Sequence, residues 1–324
     1  MEDTQVARTI ELNDGRQMPV LGLGTWKCSS LPRAKVQCAV EAAIAAGYRH
    51  IDTAYSYNNE VDIGKALHSK MQQGIIRRQD MFIVSKLWGT HHDSEDIPAC
   101  LNKSLNDLQL DYLDLYLVHF PVGLKVEHNI LNSMTELKLY YPLSYSMCVY
   151  CHDLLLCLQG MEALQVSGKV KSIGVSNFNI LQLERLLALC RVPPAVNQVE
   201  LHPYLVQTDM IEFCRSKNIA LTAYSPFGSP EHDPHKLLED PVVADVAKKH
   251  RRSSAQVLLR YHIQQGISVI PKSDKPHHIL ENDTIKHMDE VVSLNDKMNS
   301  TLFSNSKLRC VTETAGGTTT SPRG

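Results

Sequence analysis

Four side chains that could together protonate a carbonyl oxygen lie at or near the ends of consecutive β-rich runs. Asp52, Lys86 and His119 each end such a run, and Tyr57 follows Asp52 by five residues. A carboxylate can hold an ammonium group in place, and that ammonium group stabilises a phenolate, which lowers the phenol pKa from its usual ~10. Each residue alone is more often a structural polar group than a catalyst. The set predicts an acid–base site in which Tyr57 donates a proton and His119 orients the carbonyl or shares its proton.

Eight short β-rich runs would have to bring these residues together. They fall near 20–24, 49–52, 82–86, 113–119, 171–175, 196–200, 219–224 and 267–271. Apolar residues at three- and four-residue spacing predict helices between most of them, for example over 34–46, 94–108, 180–189, 208–217 and 241–250. Because parallel strands need crossover connections, this alternation predicts an α/β fold, the (β/α)8 TIM barrel, whose strand tips carry the chemistry at one end.

The segment before the first barrel strand has the pattern of a hairpin. Asn13-Asp14-Gly15 lies between two apolar-containing arms, which predicts an N-terminal β-hairpin over 10–20 that could plug one end of the barrel. An open doubly wound sheet is the competing architecture. It would normally show Gly-x-Gly-x-x-Gly after the first strand, and the stretch from Gly22 to Lys27 lacks the third glycine.

Composition narrows the classes of partner and compartment. The 324 residues are 43% hydrophobic, which suits a single barrel domain over 1–324. A net charge of −2 gives no broad field for nucleic acid or an anionic membrane, so small molecules are the expected partners. Nine scattered cysteines and no secretion signal favour the cytoplasm. The adjacent pairs His91-His92 and His277-His278 point apart, so no metal site is expected.

Two regions depart from the regular alternation. Residues 124–158 form an irregular insert in the loop after the fourth barrel strand, although its end predicts a crossover helix that begins at Asp153 and stops at Ser167-Gly168. Residues 312–324 are rich in Thr, Gly and Ser, which predicts a disordered tail. An apolar stretch over 139–158 is interrupted by Pro142, His152 and Asp153, so we do not expect it to span a membrane.

Several long motifs give the chain a family resemblance. They lie at 18–27, 46–60, 113–121, 168–178, 197–204 and 270–273, and include Gly47-Tyr-Arg-His-Ile-Asp52, Leu117-Val-His-Phe-Pro121 and Gly174-Val-Ser-Asn-Phe178. With these motifs the chain resembles the aldo-keto reductase superfamily, specifically its aldose, aldehyde and hydroxysteroid reductase branch. The insert and the C-terminal region do not resemble the family.

The resemblance implies reduction of aldehydes and ketones by hydride transfer from NADPH, with Tyr57 as general acid and Asp52, Lys86 and His119 completing the tetrad. The implied substrate pocket contains Trp26, Tyr57, His119 and Phe120. The implied contacts to NADPH/NADP+ are Gly24, Thr25, Trp26, Ser176, Asn177, Gln198, Tyr224, Ser225, Phe227, Ser229, Lys272, Ser273, His278, Glu281 and Asn282. His119 favours carbonyl over double-bond reduction, since family members that reduce steroid double bonds have Glu there.

One substitution bears on cofactor choice. His278 stands where the family commonly has Arg, and an imidazole lacks the bidentate guanidinium fork, so the preference for NADPH over NADH should weaken. We expect a cytoplasmic monomer that acts on a small-molecule carbonyl compound. The alternative is a catalytically weak dinucleotide-binding barrel with a redox-sensing or structural role, or an unstable variant-transcript product; the insert, His278 and the altered tail motivate it.

Overall fold

A computed structural model describes residues 9–26, 33–124, 153–228 and 237–283 of the chain. Its strands are β1 Thr9–Glu11, β2 Gln17–Pro19, β3 Leu23–Gly24, β4 His50–Asp52, β5 Phe82–Leu87, β6 Leu113–Val118, β7 Val170–Ser176, β8 Val196–Glu200, β9 Ala220–Tyr224 and β10 Ser268–Val269. Its α-helices are α1 Arg33–Ala45, α2 Glu60–Gln72, α3 Ile97–Leu108, α4 Asp153–Val166, α5 Ile180–Leu189, α6 Thr208–Ser216, α7 Pro241–His250, α8 Ser254–Ile263 and α9 Pro276–Asp283.

Strands β3 to β10 pair in chain order, and every pair is parallel. Parallel bridges from Leu21 to Val269 and from Gly24 to Lys272 join the two edges of this sheet. The ring is therefore closed, which confirms the predicted (β/α)8 barrel and excludes an open doubly wound sheet. The seam needs glycine at position 24, because a Cβ there would lie 2.6 Å from the Ile270 carbonyl oxygen.

The predicted hairpin is confirmed, with β1 and β2 antiparallel and Gly15 in the left-handed region at φ 81°. Leu12 and Met18 are 2% and 0% exposed, and they join a buried cluster with residues of the barrel strands. Those residues are Phe82 and Val84 on β5, Leu115 and Leu117 on β6, Val196 on β8 and Ala195 just before β8. The hairpin thus closes the bottom of the barrel with apolar side chains.

The alternation of side chains along each strand positions the polar residues above this plug. On β5, Phe82 and Val84 belong to the interior cluster, and Lys86 is the next residue with the same orientation. Leu115 and Leu117 on β6 lead in the same way to His119, whose backbone N–H still donates to the Leu87 carbonyl at 3.1 Å. Period-two alternation therefore brings polar side chains from several strands to the upper mouth of the barrel.

The helices that follow the strands match most of the predicted ones. Helices α5 and α7 have the predicted bounds, and α4 begins at Asp153 as expected. Capping boxes formed by Asn179 with Gln182 and by Ser253 with Gln256 begin α5 and α8. No helix in the described ranges has the length and apolarity needed to cross a membrane. Residues 125–152 of the predicted insert and the predicted tail 312–324 lie outside the described residues.

Candidate active site

The structure brings Asp52, Tyr57, Lys86 and His119 together at the upper mouth of the barrel. Lys86 Nζ lies 2.6 Å from Asp52 Oδ1 and 3.4 Å from the Tyr57 hydroxyl oxygen, and it also donates to the Thr53 carbonyl at 2.9 Å. The Tyr57 and His119 ring centroids are 5.8 Å apart, with the rings edge to face. These are the four side chains that the sequence predicted for the site. The Lys86 ammonium group contacts two of the other three, Asp52 and Tyr57.

The Lys86–Asp52 ion pair is buried, so both charges lose their hydration by water. Lys86 is 0% exposed and Asp52 is 2% exposed, so neither charge is solvated by bulk water. The second carboxylate oxygen of Asp52 accepts a hydrogen bond of 2.7 Å from Gln198 Nε2. Two buried opposite charges need such additional hydrogen bonds to offset their desolvation, and each fixes the position of the other.

The pKa of Tyr57 shifts in the direction opposite to the one predicted from the sequence. Burial and the nearby charge of Asp52 raise the pKa of Tyr57 well above its ordinary value, whereas the sequence argument predicted that Lys86 would lower it. Burial also lowers the pKa of Lys86, although Asp52 opposes that shift. The loss of water around the Tyr57 phenol therefore affects its pKa more than Lys86 does, because Asp52 largely balances the charge of Lys86. Tyr57 is held as a protonated donor at neutral pH.

His119 is held neutral by its surroundings. Burial, with a smaller contribution from the Lys86 charge, lowers the pKa of His119 well below its ordinary value. Its ring stacks on Phe120 at 4.8 Å with an interplanar angle of 17°. Trp88 meets the His119 ring edge to face at 5.4 Å. A neutral imidazole between two aromatic side chains can donate or accept a hydrogen bond, but it does not add a second cation beside Lys86.

Trp88 is a site residue that sequence reasoning missed. It lies two residues beyond Lys86 and also packs against Phe120, with ring centroids 6.0 Å apart. The period-two alternation of β5 could have identified it, because the side chain at position 88 points the same way as those at positions 82, 84 and 86. Together with Phe120, which was predicted for the pocket, Trp88 forms an aromatic wall beside the tetrad. Trp26, the other predicted wall residue, is half-buried just after β3.

The residues implied for the nicotinamide end are neighbours at the tips of β7 to β9. Asn177 Nδ2 donates to the His119 carbonyl at 2.9 Å, and the Tyr224 hydroxyl donates to Asn177 Oδ1 at 2.8 Å. The Ser176 hydroxyl donates to the Gln198 carbonyl at 2.9 Å. The bond to Asn177 holds the Tyr224 hydroxyl beside the Asn177 amide, which also donates to the Ser176 hydroxyl oxygen at 3.2 Å. An aromatic face next to hydrogen-bonding side chains fits a nicotinamide ring and its carboxamide.

The residues implied for the adenosine end follow β10 and continue into α9. Lys272 is 38% exposed, and its backbone forms the bridge to Gly24 at the barrel seam. His278 is exposed, Asn282 is 5% exposed, and the Glu281 carbonyl accepts a hydrogen bond of 2.9 Å from Gln256. A cation and polar groups at this end fit a phosphorylated adenosine.

The remaining implied cofactor contacts lie along the same rim. The Thr25 hydroxyl donates to the Asp52 carbonyl at 2.9 Å, which ties the tip of β3 to the tip of β4. Ser225 follows β9 with a left-handed backbone at φ 48°, and Phe227 packs against the main core. Ser229 lies outside the described residues.

These features define a class of protein: a (β/α)8-barrel enzyme with a buried lysine–aspartate pair, a protonated tyrosine and a neutral histidine at its mouth. A sequence model described as the Aldo/keto reductase family matches residues 20–299. Aldo-keto reductase family 1 member C1 of Homo sapiens is 43% identical over 281 residues, which cover 84% of this chain and 84% of that protein. Estradiol 17 beta-dehydrogenase 5 of Mus musculus is 42% identical over 283 residues, which cover 85% of each.

The structural comparison agrees with the sequence comparison. The solved structure of the aldose reductase from Schistosoma japonicum superposes with a TM-score of 0.81 at 35% sequence identity, covering 91% of this chain and 92% of that one. The chain belongs to the aldo/keto reductase family. It is an NAD(P)H-dependent oxidoreductase that acts on carbonyl and CH–OH groups.

Proposed function

We propose that this chain reduces small aldehydes and ketones to alcohols with NADPH, and that Tyr57 is the general acid. The observation that carries the proposal is the position of Lys86 Nζ, 3.4 Å from the Tyr57 hydroxyl oxygen and 2.6 Å from Asp52 Oδ1. A buried ammonium group in that position stabilises the phenolate that remains after Tyr57 has given up its proton.

The reaction divides between the cofactor and the chain. Reduced nicotinamide, which Asn177 and Tyr224 would hold, would supply a hydride to the carbonyl carbon, and the carbonyl π electrons would go to the oxygen that takes the Tyr57 proton. Tyr57 holds the transferable proton, because the raised pKa keeps its phenol neutral until a more basic alkoxide develops beside it. His119, neutral because burial lowers its pKa, orients the carbonyl oxygen by hydrogen bonding. In the reverse direction the phenolate form of Tyr57, stabilised by Lys86, accepts the alcohol proton.

The substrate side supports an apolar carbonyl compound. Trp88 and Phe120 contact His119 and each other, so the wall beside the tetrad is aromatic. Aromatic walls bind flat or branched apolar groups and leave the polar carbonyl to the tetrad. Ketosteroids, the oxidised forms of hydroxysteroids, are one candidate within this class, since one relative at 42% identity is named as an estradiol dehydrogenase.

The proposal includes a cytoplasmic monomer built as one domain over 1–324. Cys100 and Cys214 are buried free thiols, and thiols in this state are typical of a reducing compartment.

The test mixes the purified full-length chain with NADPH and an activated aromatic aldehyde, and follows cofactor absorbance alongside quenching of tryptophan fluorescence. Both tryptophans of the chain, Trp26 and Trp88, lie at the barrel mouth, so quenching reports on this site. We expect quenching and turnover. Quenching without turnover would indicate the weakly catalytic binder instead, and absence of both would indicate an unstable product.

Tyr57→Phe is the matched variant, since it removes only the hydroxyl group. Loss of a general acid costs roughly 100-fold or more in turnover, and cofactor quenching should persist. A variant that keeps more than about a tenth of the wild-type turnover contradicts the assignment of Tyr57.

A further inference from the structure

The turn after β10 contains a carboxylate that the sequence argument did not use. Lys272 Nζ lies 3.7 Å from Asp274 Oδ1, and the two side chains are 38% and 28% exposed. Lys272 is the cation implied for the ribose 2′-phosphate. Its ammonium group therefore already has an anionic partner within its own turn.

The backbone holds this pair in place. Lys272 bridges to Gly24 at the barrel seam, where the Gly24 N–H donates to the Pro271 carbonyl at 3.0 Å. The Lys275 N–H donates to Ser273 Oγ at 3.2 Å, and the Ser273 hydroxyl lies 3.4 Å from the Lys275 carbonyl oxygen. A turn closed in this way keeps the carboxylate of Asp274 close to the ammonium group of Lys272.

The Lys272–Asp274 pair changes the preference of the site between a ribose 2′-phosphate and a free 2′-hydroxyl. A 2′-phosphate carries close to two negative charges, so it is repelled by Asp274 and must compete with it for Lys272. A free ribose 2′-hydroxyl is instead favoured by a nearby carboxylate, because the carboxylate can accept its hydrogen bond, as acidic residues do in many NAD-binding sites. His278 adds less positive charge and no bidentate fork where an arginine would bind the phosphate strongly.

We propose that Asp274 is a selectivity residue that lowers the preference for the 2′-phosphate, so that this chain binds NADH as well as NADPH. The inference rests on the proposed function, in which Lys272 lies at the 2′-phosphate end. Asp274 acts on the same site by partly neutralising that cation. Because both side chains are partly exposed, the effect is that of a screened surface charge pair and is worth about a two- to fivefold change in affinity.

The experiment measures dissociation constants for the full-length chain and three variants. Titration calorimetry with 2′,5′-ADP and 5′-AMP isolates the adenosine end, and tryptophan quenching gives the values for NADP+ and NAD+. Asp274→Asn removes the carboxylate charge and Lys272→Met removes the cation. Asp111→Asn is the control, because it makes the same charge change at an exposed residue just before β6, at the opposite end of the barrel.

Asp274→Asn should tighten binding of 2′,5′-ADP and NADP+ by about two- to fivefold, and should leave 5′-AMP and NAD+ unchanged or weaker. Asp111→Asn should change none of the ratios. If Asp274→Asn shifts the ratio of 2′,5′-ADP to 5′-AMP affinity no more than Asp111→Asn does, while Lys272→Met lowers it, the inference is overturned and the proposed phosphate site stands. If Lys272→Met leaves that ratio unchanged, the phosphate site fails and the inference fails with it.

Discussion

Replacement of Lys86 by Met should destabilise the barrel because it leaves the Asp52 carboxylate buried without its cation. At the 2.6 Å separation of Nζ and Oδ1, the attraction within the pair is roughly 6 kcal/mol at an effective dielectric constant of about 20. Much of that attraction offsets the cost of burying both charges. Removal of one partner from a buried pair costs about 3–5 kcal/mol, since the other charge is then uncompensated.

Asp52 keeps one strong partner in this variant, the 2.7 Å hydrogen bond from Gln198, so we expect a loss near the lower end, about 3 kcal/mol. For a chain of this size that corresponds to a fall in Tm of about 4–5 °C. The double variant Asp52→Asn/Lys86→Met removes both charges and keeps an acceptor for Gln198. It should recover most of the lost free energy of unfolding, although it too should lack turnover.

The assay is urea unfolding followed by tryptophan fluorescence for the wild type, both single variants and the double variant, which together form a double-mutant cycle. A coupling free energy of about 2 kcal/mol or more between positions 52 and 86 is expected. If Lys86→Met is as stable as the wild type, or if the double variant is no more stable than Lys86→Met, the pair does not hold the site as described.

Two further predictions concern a buried histidine of helix α8 and the seam of the barrel. Burial, with a smaller contribution from His202, lowers the pKa of His262 to about 3, so only the unfolded chain takes up this proton as pH falls below 6.5. The folded state should therefore lose about 2 kcal/mol between neutral pH and pH 5 through His262. His262→Gln should flatten the dependence of Tm on pH below 6.5, and parallel curves for variant and wild type would contradict this. Gly24→Ala places a Cβ 2.6 Å from the Ile270 carbonyl oxygen, so it should lower Tm and weaken 2′,5′-ADP binding at Lys272, whereas unchanged values of both would show that the seam tolerates a side chain.

Local patterns were enough to predict the barrel and the grouping of Asp52, Tyr57, Lys86 and His119 at its mouth. Asp52, Lys86 and His119 each end a short β-rich run, and a parallel barrel brings strand tips together, so neighbouring tips could be paired without coordinates. The hairpin was equally local, since Asn13-Asp14-Gly15 specifies a tight turn.

Properties that depend on three-dimensional surroundings were either missed or, for the Tyr57 pKa, predicted in the wrong direction. The direction of the Tyr57 pKa shift depends on how much water reaches the phenol and on how fully Asp52 balances Lys86, and neither follows from spacing. The contact of Trp88 with His119 depends on how the chain leaves β5. The Lys272–Asp274 pair depends on the turn that Ser273 closes with Lys275.

The most direct test of the central claim is transfer of deuterium from NADPH dideuterated at C4 of the nicotinamide to an aromatic aldehyde, with the alcohol analysed by mass spectrometry. The purified wild-type chain should form an alcohol with one deuterium at the carbinol carbon, and Tyr57→Phe should form it at about a hundredth of that rate or less. An unlabelled alcohol, no alcohol at all from a folded cofactor-binding chain, or equal rates for the two proteins would contradict the account.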